Sequence, residues 1–155
     1  MIKIKKYLLA SCLLLVFTSA FATTKHENEA AVQKAFYAWC TAIGQAKGNP
    51  QVVVKYYAPG AILLPTLSEE ILVNKKGGLD GYFKKLTSLP DIQCTPQKLI
   101  TRVYTDTAVN SGLYKFTYKN AEGHPEMISA RFTFVYQKYD NQWLINKHHS
   151  SKMPE

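Results

Sequence analysis

Two adjacent histidines near the end of the chain, His148 and His149, are the side chains best suited to chemistry in this sequence. Imidazole titrates near neutral pH, so it can act as a general base, a general acid or a hydrogen-bond partner. The surrounding segment, residues 141–151, reads as a β-strand. Because consecutive side chains of a strand point to opposite faces, we expect only one histidine to face any one pocket. No cysteine or carboxylate accompanies the pair at ligand spacing, so no metal site is predicted.

The turn before this strand predicts which histidine faces which way. Asp140-Asn141 suits a two-residue hairpin loop, since both residues tolerate positive φ. Counting from that loop pairs Thr133 with His148 and places His149 opposite a phenylalanine. The two predicted faces consist of Phe132, Phe134, Tyr136, Trp143, Ile145 and His149 on one side, and of Arg131, Thr133, Val135, Leu144, Asn146, His148 and Ser150 on the other.

The aromatic face indicates either core or the apolar wall of a ligand pocket with one histidine at its end, and in the pocket interpretation that histidine is a base or hydrogen-bond donor. Arg131 is the candidate for orienting a ligand, because a guanidinium binds carboxylates and phosphates through two parallel hydrogen bonds. Two simpler interpretations stay open: Arg131 and His148 form a satisfied polar patch, and His149 is a core-edge histidine bonded to a backbone carbonyl. The predicted ligand-binding residues are His149, Tyr136, Trp143, Arg131 and Thr66, and the predicted interface residues are Arg131, Thr133 and His148.

The first 22 residues are predicted to be a signal peptide. Three lysines precede a short apolar run at 8–17, and Ala20-Phe21-Ala22 has the small-x-small pattern of a cleavage site. A competing interpretation makes Cys12 the acylated residue of a lipoprotein box. We expect the mature chain, residues 23–155, to be periplasmic or secreted and to form one domain, with no membrane span left after cleavage.

Charge and cysteine content narrow the function classes further. Loss of the three leader lysines lowers the net charge from +8 to +5, spread along the chain, with only two arginines and no arginine-rich run. Nucleic-acid binding is therefore not predicted. Cys40 and Cys94 leave two interpretations open: a disulfide, which an oxidising compartment favours, or two buried thiols on separate elements.

The elements that must position these residues change character along the chain. Apolar residues recur at helical spacing over 27–45, a short helix is predicted over 50–57, and a third over 80–89. A short apolar strand is predicted at 61–64, and long Tyr-, Phe-, Val- and Thr-rich strands at 98–104, 108–119 and 126–139. Helices followed by a meander of strands predict an α+β fold, with a helix across a curved antiparallel sheet.

Three segments, 130–136 (ARFTFVY), 140–145 (DNQWLI) and 148–155 (HHSSKMPE), resemble one group of the SnoaL-like/NTF2-like superfamily. That group is similar to the association domain of calcium/calmodulin-dependent protein kinase II and is often labelled SgcJ/EcaC. The resemblance implies a cystatin/NTF2-like cone, in which a long N-terminal helix packs on a strongly curved, mostly antiparallel sheet. It also implies homodimers or larger rings and a cavity between helix and sheet. Where ketosteroid-isomerase-like members hold a catalytic aspartate, this chain has Leu63, Leu64 and Pro65.

Three function classes follow from these patterns. The leading one is an exported homo-oligomeric module whose cavity binds a small anionic or aromatic molecule. The second is a cofactor-free isomerase, dehydratase or hydrolase that uses His149 or His148 as its catalytic acid–base. The third is a pure oligomerisation or partner-binding domain. No cofactor is predicted in any of the three.

Overall fold

The computed structural model describes residues 8–66 and 68–154, with side chains from Thr24 onward. The predicted leader, residues 1–22, lies outside the residues whose side chains are described. The elements, in chain order, are α1 (Leu8–Gln45), α2 (Gln51–Val54), β1 (Tyr57–Leu64), β2 (Leu72–Val73), α3 (Asp80–Thr87), β3 (Gln93–Val103), β4 (Thr107–Lys119), β5 (Pro125–Tyr139) and β6 (Gln142–Lys152). Within this described part of the chain, no helix has the length and apolar character needed to cross a membrane.

One six-stranded sheet holds all the strands, in the order β2-β1-β6-β5-β4-β3. Only β1 and β6 run parallel; the other neighbours are antiparallel. Register shifts in the β1–β6, β3–β4 and β5–β6 pairs bend the sheet, because each bulge increases local twist. The predicted α+β fold, with one long helix on a curved and mostly antiparallel sheet, is confirmed.

Helix α1 fills the concave side of the sheet. Its buried residues Val32, Phe36, Trp39 and Ile43 recur at three- and four-residue steps, which places them on one face. That face meets an inner sheet surface of aromatic side chains; Phe36, for example, stacks on Phe132 with ring centroids 4.7 Å apart. We call the region between α1 and this inner sheet surface the cone.

A disulfide joins Cys40 of α1 to Cys94 at the start of β3. Of the two interpretations that the sequence leaves open, the structure has the disulfide. The bond anchors the helix to the edge strand of the sheet, across 54 residues of sequence.

Strand β1 begins earlier than expected. The sequence predicts that Pro59-Gly60 ends a helix, whereas α2 closes at Val54 and the strand already includes Tyr57. The pairing of β1 with β6 shifts its register between Tyr57 and Ile62, and Gly60 has a φ of +77° there. Glycine tolerates that left-handed conformation, so the strand bends here instead of stopping.

The hairpin between β5 and β6 has the predicted loop but not the predicted faces. Asp140 and Asn141 have φ values of 43° and 65°, and Tyr136 pairs with Ile145 as expected. The next pair is Val135 with Lys147, so Asn146 is an extra residue, a β-bulge. Beyond the bulge every β6 side chain lies on the face opposite to the predicted one, because a shift of one residue reverses the alternation.

Candidate functional site

A chain of hydrogen bonds between polar side chains crosses the cone. The Tyr57 hydroxyl lies 2.7 Å from His148 Nδ1, and His148 Nε2 lies 3.5 Å from the Tyr114 hydroxyl. Tyr114 donates to Ser150 Oγ at 2.6 Å, and Ser150 shares a further hydrogen bond with Thr66. Four of these side chains are buried, and only Thr66 is partly exposed. The chain therefore runs from the core to the loop after β1.

The fold brings these residues together from four separate segments. His148 and Ser150 stand two positions apart on β6, so they share a face of the strand. The bulge at Asn146 makes that face the inner one, where His148 pairs with Phe134. Tyr114 comes from β4, and Tyr57 comes from the start of β1, which lies beside β6. Without the bulge the inner face would carry neither His148 nor Ser150.

The hydrogen bonds have a consistent direction. The Tyr114 hydroxyl donates its hydrogen bond to Ser150. Its oxygen can therefore accept a hydrogen bond from His148 Nε2–H. The other nitrogen, Nδ1, then accepts from the Tyr57 hydroxyl. We assign the Nε2–H tautomer on this network. The last hydrogen bond joins the Ser150 and Thr66 hydroxyls, and either of them can be its donor.

The interior of the cone is uncharged at neutral pH. Burial lowers the pKa of His148 well below its ordinary value, and the neighbouring imidazole of His149 lowers it further. Burial also raises the pKa of Tyr57, Tyr114 and Tyr136, which keeps all three phenols protonated. Among the residues whose side chains are described, no Asp, Glu, Lys or Arg is buried.

Several buried polar groups have no hydrogen-bond partner in the described part of the protein. They are the indole N–H groups of Trp39 and Trp143, the amide nitrogen of Asn110 and the hydroxyl of Tyr136. The Trp39 N–H lies near the Tyr57 oxygen, since it partly offsets the rise in the Tyr57 pKa that burial causes. That contact does not reach hydrogen-bond geometry, and we take it as a weak one. Three of these groups can only donate, and the Tyr136 hydroxyl can both donate and accept, so the unpartnered groups supply more donors than acceptors.

A surface cavity lies between the segment after β1 and helix α3. Its volume is about 350 Å³. It is lined by Ser68, Glu70, Leu72, Gly78, Gly81, Tyr82 and Lys85. Tyr82 also contacts the buried Phe83 ring edge-on, with ring centroids 5.2 Å apart. Burial raises the pKa of Tyr82 to about 12.

The predicted site residues are divided between two surfaces, and the two histidines lie on the faces opposite to the predicted ones. His148 is 3% exposed inside the cone, so its prediction as an interface residue is wrong. His149 is exposed on the outer sheet face, where it lines a groove of about 250 Å³ with Arg131 and Thr133. The prediction of His149 and Arg131 as residues of the aromatic pocket is therefore wrong in placement. The physical reason is the bulge at Asn146.

The remaining predicted residues lie on the cone side. Tyr136 is buried on the inner face, and Thr66 ends the hydrogen-bond chain at its rim. Trp143 is also buried but belongs to the far end of the sheet, where the ammonium group of Lys138 lies 5.6 Å from its ring centroid. A ligand-binding role for these residues stays a prediction. Within the described part of the chain, no three His, Cys, Asp or Glu side chains are grouped so as to hold a metal ion.

Sequence reasoning missed Tyr57, Tyr82, Tyr114, Trp39 and Ser150 as members of the site. The alternation of β4 could have indicated that Tyr114 points inward, since it shares parity with Ala108 and Phe116. No local pattern indicates that Tyr57 meets His148, because 91 residues separate them and the contact depends on a parallel strand pair.

Comparisons with known proteins agree with this architecture. The family model for the calcium/calmodulin-dependent protein kinase II association domain matches residues 28–154. The chain belongs to that family. A Xanthomonas campestris protein assigned to the same domain has 37% sequence identity and a TM-score of 0.73, with 80% of this chain and 86% of that chain covered. No curated protein matches the chain in sequence.

Two more distant structures support the association-domain fold. An NTF2-like protein from Streptomyces avermitilis has 14% identity and a TM-score of 0.74, covering 84% of this chain and 99% of that one. The hub homology domain of the same kinase from Chlamydomonas reinhardtii has 20% identity and a TM-score of 0.60, covering 84% and 98%. At these identities the likeness concerns the fold alone, and the function must be argued from the site.

Proposed function

We propose that this association-domain protein is exported, self-associates, and binds an uncharged small molecule at the inner end of its cone. The observation that carries the ligand proposal is the combination of buried, unpartnered donors with a complete lack of buried charge among the described side chains. Buried polar groups in native proteins are normally hydrogen-bonded. A ligand that supplies acceptors would complete this set.

The donor excess defines the chemistry of the ligand. The indole N–H of Trp39 and the hydroxyl of Tyr136 are unpartnered donors near Tyr57. A ketone, ester, lactone or amide carbonyl accepts such protons without bringing a charge. A carboxylate would lose its hydration inside the cone and find no buried cation there, since Arg131 lies outside. An anionic ligand is therefore disfavoured.

The walls of the cone favour a flat or apolar molecule. Trp39, Tyr57 and Phe134 pack around His148, whose ring centroid lies 3.9 Å from that of Phe134. Aromatic rings pack well at such distances and recognise other flat groups.

Export and self-association rest on different support. The predicted leader and the Cys40–Cys94 disulfide both suit an oxidising compartment outside the cytosol. Self-association is supported by membership of an association-domain family. Light scattering of the mature chain tests it: a species larger than one chain is expected, and a strict monomer at micromolar concentration would contradict it.

A catalytic role for His148 has weaker support than binding. Both of its ring nitrogens are engaged by tyrosine hydroxyls, and no buried carboxylate is present in the described chain to complete an acid–base pair. The exposed Glu69 and Glu70 lie in the loop after β1. An activity lost in His148→Gln but retained in His149→Gln would revive the catalytic interpretation.

A thermal-shift screen with matched pairs tests the ligand proposal. Each pair contains an aromatic or cyclic carbonyl compound and the carboxylate of the same skeleton, added to the mature protein at pH 7. Ligand that binds the folded state raises the melting temperature. We expect stabilisation by uncharged members only, with loss of the effect in Tyr136→Phe, which keeps the ring and removes the donor. Stabilisation by the carboxylates alone would overturn the proposal.

A further inference from the structure

The Cys40–Cys94 disulfide is the strongest tie between helix α1 and strand β3. It reaches β3, an edge strand of the sheet, at the second residue of that strand. Of the eleven residues of β3, only Thr101 is buried. Among the side chains that the structure describes, one hydrogen bond joins α1 to β3, from Gln33 Nε2 to Thr101 Oγ1 at 3.3 Å. The position of this edge strand against the helix therefore depends strongly on the disulfide.

The two cysteines differ in their exposure to solvent. Cys40 is buried between helix and sheet, with 3% of its surface exposed, whereas Cys94 is partly exposed. A surface cavity of about 490 Å³ begins beside the bond. Gly44, one helical turn after Cys40, and Gln93, the residue before Cys94, both line this cavity. The folded protein thus gives a thiol a route to the disulfide, with Cys94 Sγ as the more accessible sulfur.

Both halves of the disulfide adjoin rings that pack against Tyr114. Trp39, next to Cys40 in α1, has its ring centroid 6.1 Å from that of Tyr114. On the sheet side, Cys94 pairs with Phe116, whose ring centroid lies 4.8 Å from that of Tyr114. Tyr114 in turn belongs to the hydrogen-bond chain that crosses the cone. The disulfide therefore holds the helix and the strand against this buried cluster from two sides.

We infer that the Cys40–Cys94 disulfide is a redox switch: a dithiol reduces it in the folded protein, which loosens β3 from α1 and changes the packing around Tyr114. The reductant is a dithiol, such as the reduced form of a disulfide oxidoreductase. One of its thiolates attacks Cys94 Sγ and forms a mixed disulfide, and Cys40 leaves as a thiolate that takes up a proton. The second thiol then attacks the reductant's own sulfur and releases Cys94. The protein gains two electrons and two protons, and the dithiol becomes an intramolecular disulfide. This inference does not depend on a ligand in the cone or on self-association.

The alternative is a bond that only stabilises the fold, and the two interpretations differ in how urea affects reduction. A disulfide that is reached only through global unfolding is reduced faster in urea, by about tenfold per molar, because urea raises the unfolded population. A disulfide that is attacked in the folded protein is reduced at a rate that depends on the dithiol concentration and hardly on urea.

Reduction of the mature protein by dithiothreitol at about pH 8 distinguishes these routes. The reaction is stopped by alkylation of free thiols and followed by mass spectrometry, without urea and with about 1 M urea, below the unfolding transition. We expect the rate to be proportional to the dithiothreitol concentration and to change less than about twofold with urea. An increase of about tenfold with urea, or a rate that stops rising with dithiothreitol, would overturn the inference.

Two single-cysteine variants test which sulfur is attacked. Cys40→Ser leaves the thiol of Cys94, and Cys94→Ser leaves the thiol of Cys40. We expect an aromatic disulfide reagent to react at least about tenfold faster with the Cys94 thiol, because buried thiols react slowly. Equal rates, or a faster Cys40 thiol, would contradict attack at Cys94. Circular dichroism checks that both variants are folded, and the urea experiment on the wild type does not depend on them.

Hydrogen exchange during about one minute of labelling shows what reduction releases. We expect residues 93–103 to take up deuterium faster in the reduced protein, by about tenfold or more, while the central residues of β5 and β6 stay protected in both states. The control is Cys40→Ser with Cys94→Ser, in which dithiothreitol should change nothing. Unchanged exchange in β3, or rapid exchange in β5 and β6 as well, would overturn the inference, because reduction would then release nothing or unfold the protein.

The two tryptophans provide a matched pair of probes for the packing around Tyr114. Trp39 adjoins the disulfide, whereas Trp143 lies at the far end of the sheet. We expect reduction to shift the indole N–H signal of Trp39 in an NMR spectrum and to leave that of Trp143 unchanged. An unmoved Trp39 signal, or equal shifts of both signals, would contradict a switch that acts on this cluster.

Discussion

The buried imidazole of His148 makes a specific prediction about pH and stability. Its pKa in the folded protein lies well below the value of about 6.5 that an unfolded chain has, because burial disfavours the charged form. Between those two values the unfolded chain binds one proton more than the folded one. The free energy of unfolding must therefore fall as the pH falls below about 6.5.

The size of this effect follows from the linkage of one proton. Stability changes by at most about 1.4 kcal/mol per pH unit, so a drop from pH 6.5 to 5 costs up to about 2 kcal/mol. Protonation of carboxylates changes the free energy of unfolding only at lower pH, since carboxylates have ordinary pKa values of about 4. The other histidines with described side chains, His26, His124 and His149, are exposed. His148 is therefore the group expected to cause the loss in this window.

Urea unfolding followed by tryptophan fluorescence, repeated from pH 7 to pH 5, measures the slope. His148→Gln should remove most of it, while His149→Gln should keep most of it, because His149 is only the smaller cause of the His148 pKa shift. His148→Gln is expected to be less stable at pH 7, and the change of its free energy of unfolding with pH can still be measured. A wild-type stability that does not change between pH 6.5 and 5 would refute a buried neutral His148. So would a slope that persists in His148→Gln and vanishes in His149→Gln.

Two further predictions concern stability. Cys40→Ala with Cys94→Ala should lower the free energy of unfolding by about 4 kcal/mol, the chain-entropy value for a 54-residue loop, as measured by urea unfolding; a change below about 1 kcal/mol would contradict it. Gly112→Ala should destabilise by about 1–3 kcal/mol or more, because its Cβ would lie 1.8 Å from the Lys98 carbonyl oxygen. The matched change Gly81→Ala on α3 meets no atom within 4 Å and should be neutral or stabilising in the same assay; equal losses in both would argue against the close strand contact.

The sequence allowed the fold to be predicted because its strongest signals are local. Helical spacing indicates the buried face of α1, and turn chemistry at Asp140-Asn141 indicates the last hairpin. The site was harder to predict from the sequence, because it depends on one inserted residue in β6. Asn146 carries no signature of a bulge, since it is neither glycine nor proline, and the register arithmetic assumes an unbroken ladder. That single residue exchanges the sheet faces on which His148 and His149 lie.

Long-range contacts account for the other residues that were missed. Tyr57 reaches His148 because β1 lies parallel to β6, a pairing that no neighbouring residue signals.

The uncharged, donor-rich cone is tested most directly by the NMR signal of the Trp39 indole N–H, assigned by its loss in Trp39→Phe. The mature protein is titrated at pH 7 with the best uncharged compound from the paired screen and, separately, with its carboxylate counterpart. We predict that the uncharged compound shifts this signal as its carbonyl accepts the proton, and that the carboxylate leaves it unchanged at the same concentration. An equal or larger shift with the carboxylate, or a bound carbonyl compound that leaves the signal unmoved, would contradict a neutral carbonyl site in the cone.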